Sequence, residues 1–233
     1  VLYHRSVPSS HRGKFITFEG LDGSGKSTQM AKLAKALEAR GLEVVVTREP
    51  GGTPTGEKIR HVILDSGTTG LAPMAEMALM FASRAQHIRE VIAPALAEGK
   101  FVLCDRFTDS TEAYQGNGRK LGSEVVLELH RILCGDVQPD LTLLMDSDVA
   151  SSVARARRRN QKSSKDGHAR KDENRFEQES RAFFTRVRHG YLAIARREPE
   201  RVVVIDARGT PSQTHRRILD AVLRRFRMAA RVP

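Results

Sequence analysis

Residues 20–27 read Gly-Leu-Asp-Gly-Ser-Gly-Lys-Ser, a complete G-x-x-x-x-G-K-[ST] loop placed directly after the β-favouring run Phe15, Ile16, Thr17, Phe18. A loop of this kind holds phosphate. Gly20, Gly23 and Gly25 allow tight turns that point successive N–H groups at phosphate oxygens, and the following helix adds the positive end of its dipole. In this pattern Lys26 lies on the β- and γ-phosphates of a nucleoside triphosphate and the Ser27 hydroxyl on Mg²⁺, with Leu21, Asp22, Ser24 and Thr28 completing the nucleotide-binding stretch. A glycine-rich turn that binds nothing would not reproduce all four fixed positions together with the flanking strand and helix.

A second chemical signal is Asp105, which ends the apolar run Phe101-Val102-Leu103-Cys104. Ligands of parallel sheets bind outside the carboxyl ends of the strands, so a carboxylate there is placed to organise Mg²⁺ beside Ser27. The adjacent Arg106 is expected to point away from Asp105, toward a second anionic group. On its own, an Asp-Arg pair at a strand end reads equally well as a surface ion pair.

The elements that must position these groups are legible. Met30, Leu33, Ala34 and Leu37 recur at helical spacing after the loop, and Gly41 suits a left-handed cap before the strand Leu42 to Thr47. Strand, helix and strand within about 35 residues make a βαβ unit and hence a parallel sheet. Further strands end at Asp105, Asp146 and Asp206, giving five strands flanked by helices, an α/β fold. A helix is expected from about Pro54 to Asp65, and another containing Met77, Phe81, Arg84 and Ile88.

The chain has 233 residues, 39% of them apolar, enough for one compact enzyme domain. Residues 1–12 read as a flexible arm and 13–233 as a single domain. Cys104 and Cys134 show no metal-ligand spacing and fit a reducing cytoplasm. The first residues lack the apolar run of a secretory signal, and no stretch is long enough to span a membrane. The formal charge of +11 raises nucleic acid as a partner, but much of it is concentrated in Arg155 to Lys171 and in the C-terminal helix. There, Ile218, Leu219, Val222, Leu223 and Phe226 form an apolar stripe whose solvated face the arginines cover.

Four motifs occur in order: the phosphate loop, Thr47-Arg48-Glu49-Pro50-Gly51-Gly52-Thr53, Phe81-Ala82-Ser83-Arg84, and Asp105-Arg106-Phe107 with Tyr114-Gln115-Gly116. Together they resemble bacterial thymidylate kinase, a P-loop nucleoside monophosphate kinase family, from about Gly13 to Arg227. The resemblance implies a P-loop fold with a mobile lid over about 150–176, ATP and dTMP as substrates, Mg²⁺ as cofactor, and a homodimer with no specific nucleic-acid or membrane partner.

By the same resemblance, Phe81 stacks on thymine and Arg84 hydrogen-bonds the base; read from its helix alone, Phe81 is a core residue. Arg48 and Arg106 hold the monophosphate, and Asp22 is associated with the acceptor phosphate and metal. Tyr114 favours deoxyribose, while Ser110, Thr111 and Gln115 belong to the dTMP site. No variable position of the loop is basic, so the lid must supply cations to the transferring phosphoryl group. Arg155, Arg157 and Arg159 align with the arginine-rich lid stretch and Glu177 with the acid that follows it. A polar insert, about Asn160 to Glu173, departs from the family pattern and is expected to be disordered without ligand.

The implied reaction is in-line transfer of the γ-phosphoryl of ATP to dTMP, catalysed by positioning and charge neutralisation, with Lys26, Asp22, Arg106 and the lid arginines as the catalytic set. A guanine-nucleotide switch would share the loop, but no Asn-Lys-x-Asp segment is present. A kinase for another nucleoside monophosphate and a nucleic-acid-binding P-loop protein are the alternatives.

Overall fold

The computed structural model describes residues 12–165 and 175–229, without the side chains of 159–165. Five parallel strands form one sheet in the order β2-β3-β1-β4-β5: β1 (Lys14–Glu19), β2 (Val44–Arg48), β3 (Phe101–Asp105), β4 (Leu141–Asp146) and β5 (Val202–Asp206). The unalternating apolar runs of β1, β3 and β4 are the central strands, buried on both faces, while the edge strands β2 and β5 leave Val46 and Val204 about half exposed. Register brings Phe18 and Arg48 level with Asp105, and Asp146 level with Asp206, so the chemistry-bearing ends share one rim.

Helix α1 (Lys26–Glu38) begins at Gly25 and packs with α9 (Pro211–Arg225) on one face, where Leu33, Leu37, Ile218 and Val222 join the strand residues Phe18 and Leu143. The opposite face carries α3 (Pro73–His87), α4 (Ala93–Ala97) and α6 (Ser123–Cys134) around Met77, Phe81, Phe107 and Val126. Helix α2 (Pro54–Leu64) lies against α3; Thr53 caps it by accepting from Gly56 N at 2.9 Å, with Pro54 at the first position, where its missing N–H costs nothing.

After β3, the short α5 (Thr108–Thr111) widens into a π-helical turn over Glu112–Gly118, a geometry recurrent at functional sites. That turn packs on α8 (Arg181–Arg197), and a third apolar cluster of Tyr114, Phe176, Phe183, Val187 and Tyr191 seals the junction. Helix α7 (Val149–Lys165) carries the arginines of the expected lid, and a single 3₁₀ turn, Arg175–Gln178, leads back toward the core.

The arm expected over residues 1–12 lies outside the described residues except for Arg12, which donates to both carboxylate oxygens of Asp140 at 3.0 Å. Most of the insert expected over 160–173 lies outside them as well. Cys104 and Cys134 are free and buried, and no helix among the described residues is long and apolar enough to cross a membrane. Part of the basic charge is paired within the fold, in Arg188–Asp146, Arg197–Glu112, Arg201–Asp109 and the pairing of Arg119 and Arg175 with Glu76.

Candidate active site

The phosphate loop turns as its glycines require, with φ of 124° at Gly20, 79° at Gly23 and 95° at Gly25. Two of these positions also exclude a side chain by contact. A Cβ on Gly20 would lie 2.5 Å from Met145 O, and one on Gly23 2.2 Å from Ser152 O, so the loop is seated between β4 and the start of α7. Lys26 is buried and donates to Gly20 O and Leu21 O, each at 3.1 Å. Burial lowers its pKa, Arg106 adds to the lowering, and Asp105, Asp22 and Glu19 oppose it. Ser24 Oγ in the same loop is buried with no hydrogen-bond partner. Ser27 and Thr28 are exposed at the first turn of α1.

Ser27 Oγ lies 3.4 Å from Asp105 Oδ2, while Asp105 Oδ1 is buried without a hydrogen bond, 3.9 Å from Lys26 Nζ. A hydroxyl and a carboxylate side by side, one carboxylate oxygen unfilled, form a hard-oxygen pair that fits Mg²⁺, an ion that relies on substrate phosphates for its remaining ligands.

Beside the loop opens a cavity whose non-protein space, solvent at its mouth included, is about 730 Å³. Its wall includes Asp22, Arg84, Arg106, Ser110, Thr111, Tyr114 and Gln115, so the structure brings together most of the residues that the sequence nominated from four separate segments.

Arg106 is the most constrained of them. Its backbone is left-handed, with φ of 73°, which turns the side chain off the strand direction. Nη2 donates to Asp22 Oδ1 at 2.8 Å and Tyr114 Oη at 3.3 Å; Nη1 donates to Ser110 Oγ at 3.0 Å and Tyr191 Oη at 3.1 Å. Burial works against its charge, but Asp22 and the two tyrosine oxygens more than offset it and hold the pKa well above the ordinary value. The Tyr114 ring lies under this guanidinium, 5.0 Å away, and burial raises its phenol pKa.

Arg84 is almost fully buried. Nε donates to Glu49 Oε2 at 2.7 Å and Nη2 to Thr111 Oγ1 at 2.9 Å, which leaves Nη1 without a partner. Burial pushes Glu49 upward, yet Arg84 and His87 draw its pKa below the usual value. Gln115 shows the complementary pattern: Nε2 donates to the buried carboxylate of Glu76 at 2.8 Å, and Oε1 is left unfilled.

Phe81 corrects the sequence reading. It is fully buried in the core with Met77 and Phe107 and is absent from the cavity wall, where Met80 stands instead. Met80 precedes Arg84 by four residues and shares its face of α3, whereas Phe81 turns toward the sheet and beds the Arg84 guanidinium 4.9 Å above its ring. The i, i+4 relation to Arg84 was the available signal. Arg48 also departs from expectation: it pairs with Glu57 at 2.9 Å, is partly exposed and is not among the wall residues. Arg60, Leu64 and Phe176 line the cavity although nothing in their local sequence nominated them.

Of the expected lid arginines, Arg155 Nε donates to Gly23 O at 2.7 Å and so touches the phosphate loop. Arg157 donates to Glu177 O at 3.0 Å and ties α7 to the returning 3₁₀ turn. The side chain of Arg159 lies outside the described residues. Glu177 reaches the cavity wall.

Comparison with known proteins places the chain in a family. The family model described as Thymidylate kinase matches residues 18–218. The chain is 51% identical to a thymidylate kinase of Trichlorobacter lovleyi over 212 residues, covering 91% of this chain and 98% of that protein. It is 47% identical to one of Geobacter sulfurreducens, again covering 91% of this chain and 98% of that protein. Among solved structures, a thymidylate kinase from Ehrlichia chaffeensis superposes with a TM-score of 0.70 at 34% identity, covering 91% of this chain and 99% of the other.

Proposed function

The chain belongs to the thymidylate kinase family and is a dTMP kinase that transfers the γ-phosphoryl of ATP to dTMP, and from that premise we propose how its own residues divide the work. The observation that carries the assignment of the base site is the pair of unfilled polar atoms on two wall residues, the Arg84 Nη1 donor and the Gln115 Oε1 acceptor. A buried polar atom without a partner is costly, and these two belong to residues of the cavity wall, so in this reading the substrate completes them. Thymine presents an acceptor at O4 and a donor at N3–H, which fills both. Cytosine seated in the same way sets its N4 donor against the Arg84 donor and its N3 acceptor against the Gln115 acceptor, and in that pose fills neither. Glu76 fixes the sense of the Gln115 amide, because a carboxylate accepts only from its NH₂ group.

In this reading Lys26 and the loop amides hold the ATP phosphates, Arg106 holds the acceptor phosphate with Asp22 bridging it to the loop, and Arg155 carries the lid's positive charge to the loop. Arg60 is the further guanidinium on the wall, and Arg48 acts from outside it. Mg²⁺, when bound at Ser27 and Asp105, neutralises charge on the donor phosphates. A phosphate monoester is already a nucleophile, so the residues have only to align two polyanions and exclude water.

Gln115→Leu tests the base site more cleanly than Arg84→Ala, since the latter strips Glu49 of its buried countercharge, whereas Glu76 keeps Arg119 and Arg175 when Gln115 changes. In a coupled ADP-release assay, kcat/KM for dTMP is expected to fall on the order of tenfold to a hundredfold, the equivalent of about 1.5–3 kcal/mol, and the preference over dCMP to narrow. An unchanged dTMP-to-dCMP ratio would remove Gln115 from base recognition.

Homodimer formation and a cytoplasmic site of action belong to the same proposal. Helices α3 and α6 lie side by side and expose Met74, Val125, Ile132 and Leu133. Sedimentation equilibrium is expected to return twice the chain mass, and a monomer at micromolar concentration would refute it.

A further inference from the structure

Glu19, the last residue of β1, lies at the start of the phosphate loop, is fully buried and has no part in the mechanism above. Its Oε1 accepts from Phe107 N at 2.7 Å. Its Oε2 closes a triangle with two hydroxyls: Ser110 Oγ at 2.5 Å, Tyr191 Oη at 3.0 Å, and the two hydroxyl oxygens 2.7 Å from each other. The same two hydroxyls are the acceptors for Arg106 Nη1, whose hydrogens point toward them and cannot serve the triangle.

The hydrogen count decides the state of Glu19. Three oxygen–oxygen contacts need three hydrogens, and each hydroxyl brings one. An ionised carboxylate brings none, so one edge of the triangle would set two bare oxygens 2.5–3.0 Å apart. A protonated carboxyl supplies the third hydrogen and closes the ring.

We propose that Glu19 carries a proton in the resting enzyme and, through Ser110 and Tyr191, acts with them as a set of positioning residues for Arg106, making acceptor binding pH-dependent. The proposal rests on the reading of Arg106 as the acceptor-phosphate group. With Glu19 neutral, the guanidinium charge is directed to Asp22 and the incoming phosphate. When Glu19 ionises, its proton leaves to solvent, one edge of the triangle opens, and a negative charge one hydroxyl away competes with the phosphate for Arg106.

The surroundings agree. Burial raises the Glu19 pKa to about 7 and Asp109 adds to the rise, against the Ser110 hydrogen bond, Arg106 and the Phe107 N–H. The groups facing it are Asp109 and Ser110 from α5, Arg106 from the turn after β3, Tyr191 from α8 and, further out, Lys26 from α1, Cys104 from β3 and Tyr114 from the π-helical turn. Asp109 is itself paired with Arg201 at 2.7 Å.

Two measurements test the proposal on the whole enzyme. The infrared difference between wild type and Glu19→Gln should show a protonated-carboxyl band that disappears with a midpoint near pH 7; its absence at pH 6 overturns the stored proton. In steady-state kinetics, KM for dTMP in wild type should rise roughly threefold to tenfold relative to Glu19→Gln between pH 6 and 8.5, with little change in the kcat ratio. Referring to the variant cancels the titration of the substrate phosphate. Parallel KM profiles overturn the coupling to Arg106. Tyr191→Phe removes one member of the ring, lets an ionised Glu19 be satisfied by Ser110, and should move the infrared midpoint down by about one unit or more; an unmoved midpoint overturns the ring. Failure of the wild type to phosphorylate dTMP would instead sink the underlying functional reading, and the infrared band would still report on the proton.

Discussion

Lys26→Ala is expected to lower kcat by on the order of 10²–10³-fold or more, because it removes a buried, preorganised cation from the phosphates on which charge moves during transfer. The ammonium donates to two carbonyls of its own loop, Gly20 O and Leu21 O, and is thereby held at the loop that takes the phosphates. The dTMP cavity is walled by other residues, and the dissociation constant for dTMP, measured by calorimetry, is expected to stay near the wild-type value. Lys26→Met, which keeps most of the volume, should behave in the same way. Near-normal turnover in either variant would take the loop out of the active site.

The second large effect is expected at Arg106. Arg106→Ala should reduce kcat/KM for dTMP by about 30-fold to several thousand-fold, the equivalent of about 2–5 kcal/mol for truncating one side of a buried charge pair. Its fork is set by four oxygens at 2.8–3.3 Å, from Asp22, Tyr114, Ser110 and Tyr191, so the geometry as well as the charge is specified. Arg106→Lys is therefore expected to restore only a small part of the loss, since an ammonium cannot reproduce the planar fork. Full recovery with lysine would reduce the role to a point charge. A near-normal alanine variant would move the acceptor phosphate to Arg48 or Arg60.

The phosphate loop, Asp105 beside Ser27, and the five strand ends were all legible because each depends on local chemistry: glycines where φ is positive, apolar runs where both sheet faces are covered, and a carboxylate at a strand's end. Phe81 was misread for a physical reason. The motif placed the ring three residues before Arg84, whereas Met80, four before it, lines the cavity, and the packing of α3 on the sheet takes Phe81 into the core. Arg48 was named for its motif, but its partner Glu57 comes from the next helix, and the charge is turned there.

What the sequence determined by itself is therefore the reaction's donor side, a contiguous loop whose backbone conformation and side chains lie within eight residues. On the acceptor side the sequence nominated residues, and tertiary structure decided their arrangement. The wall is assembled from the phosphate loop, the β2–α2 turn, α2, α3, the β3–α5 turn, α5, the π-helical turn and the 3₁₀ turn Arg175–Gln178, and its key polar atoms matter because of partners far away in the chain. Glu76 leaves Gln115 Oε1 open, Glu49 and Thr111 leave Arg84 Nη1 open, and Tyr191, 172 residues after Glu19, closes the triangle that sets Arg106. Which donor or acceptor remains unfilled is a property of the whole hydrogen-bond network, and no local pattern of residues encodes it.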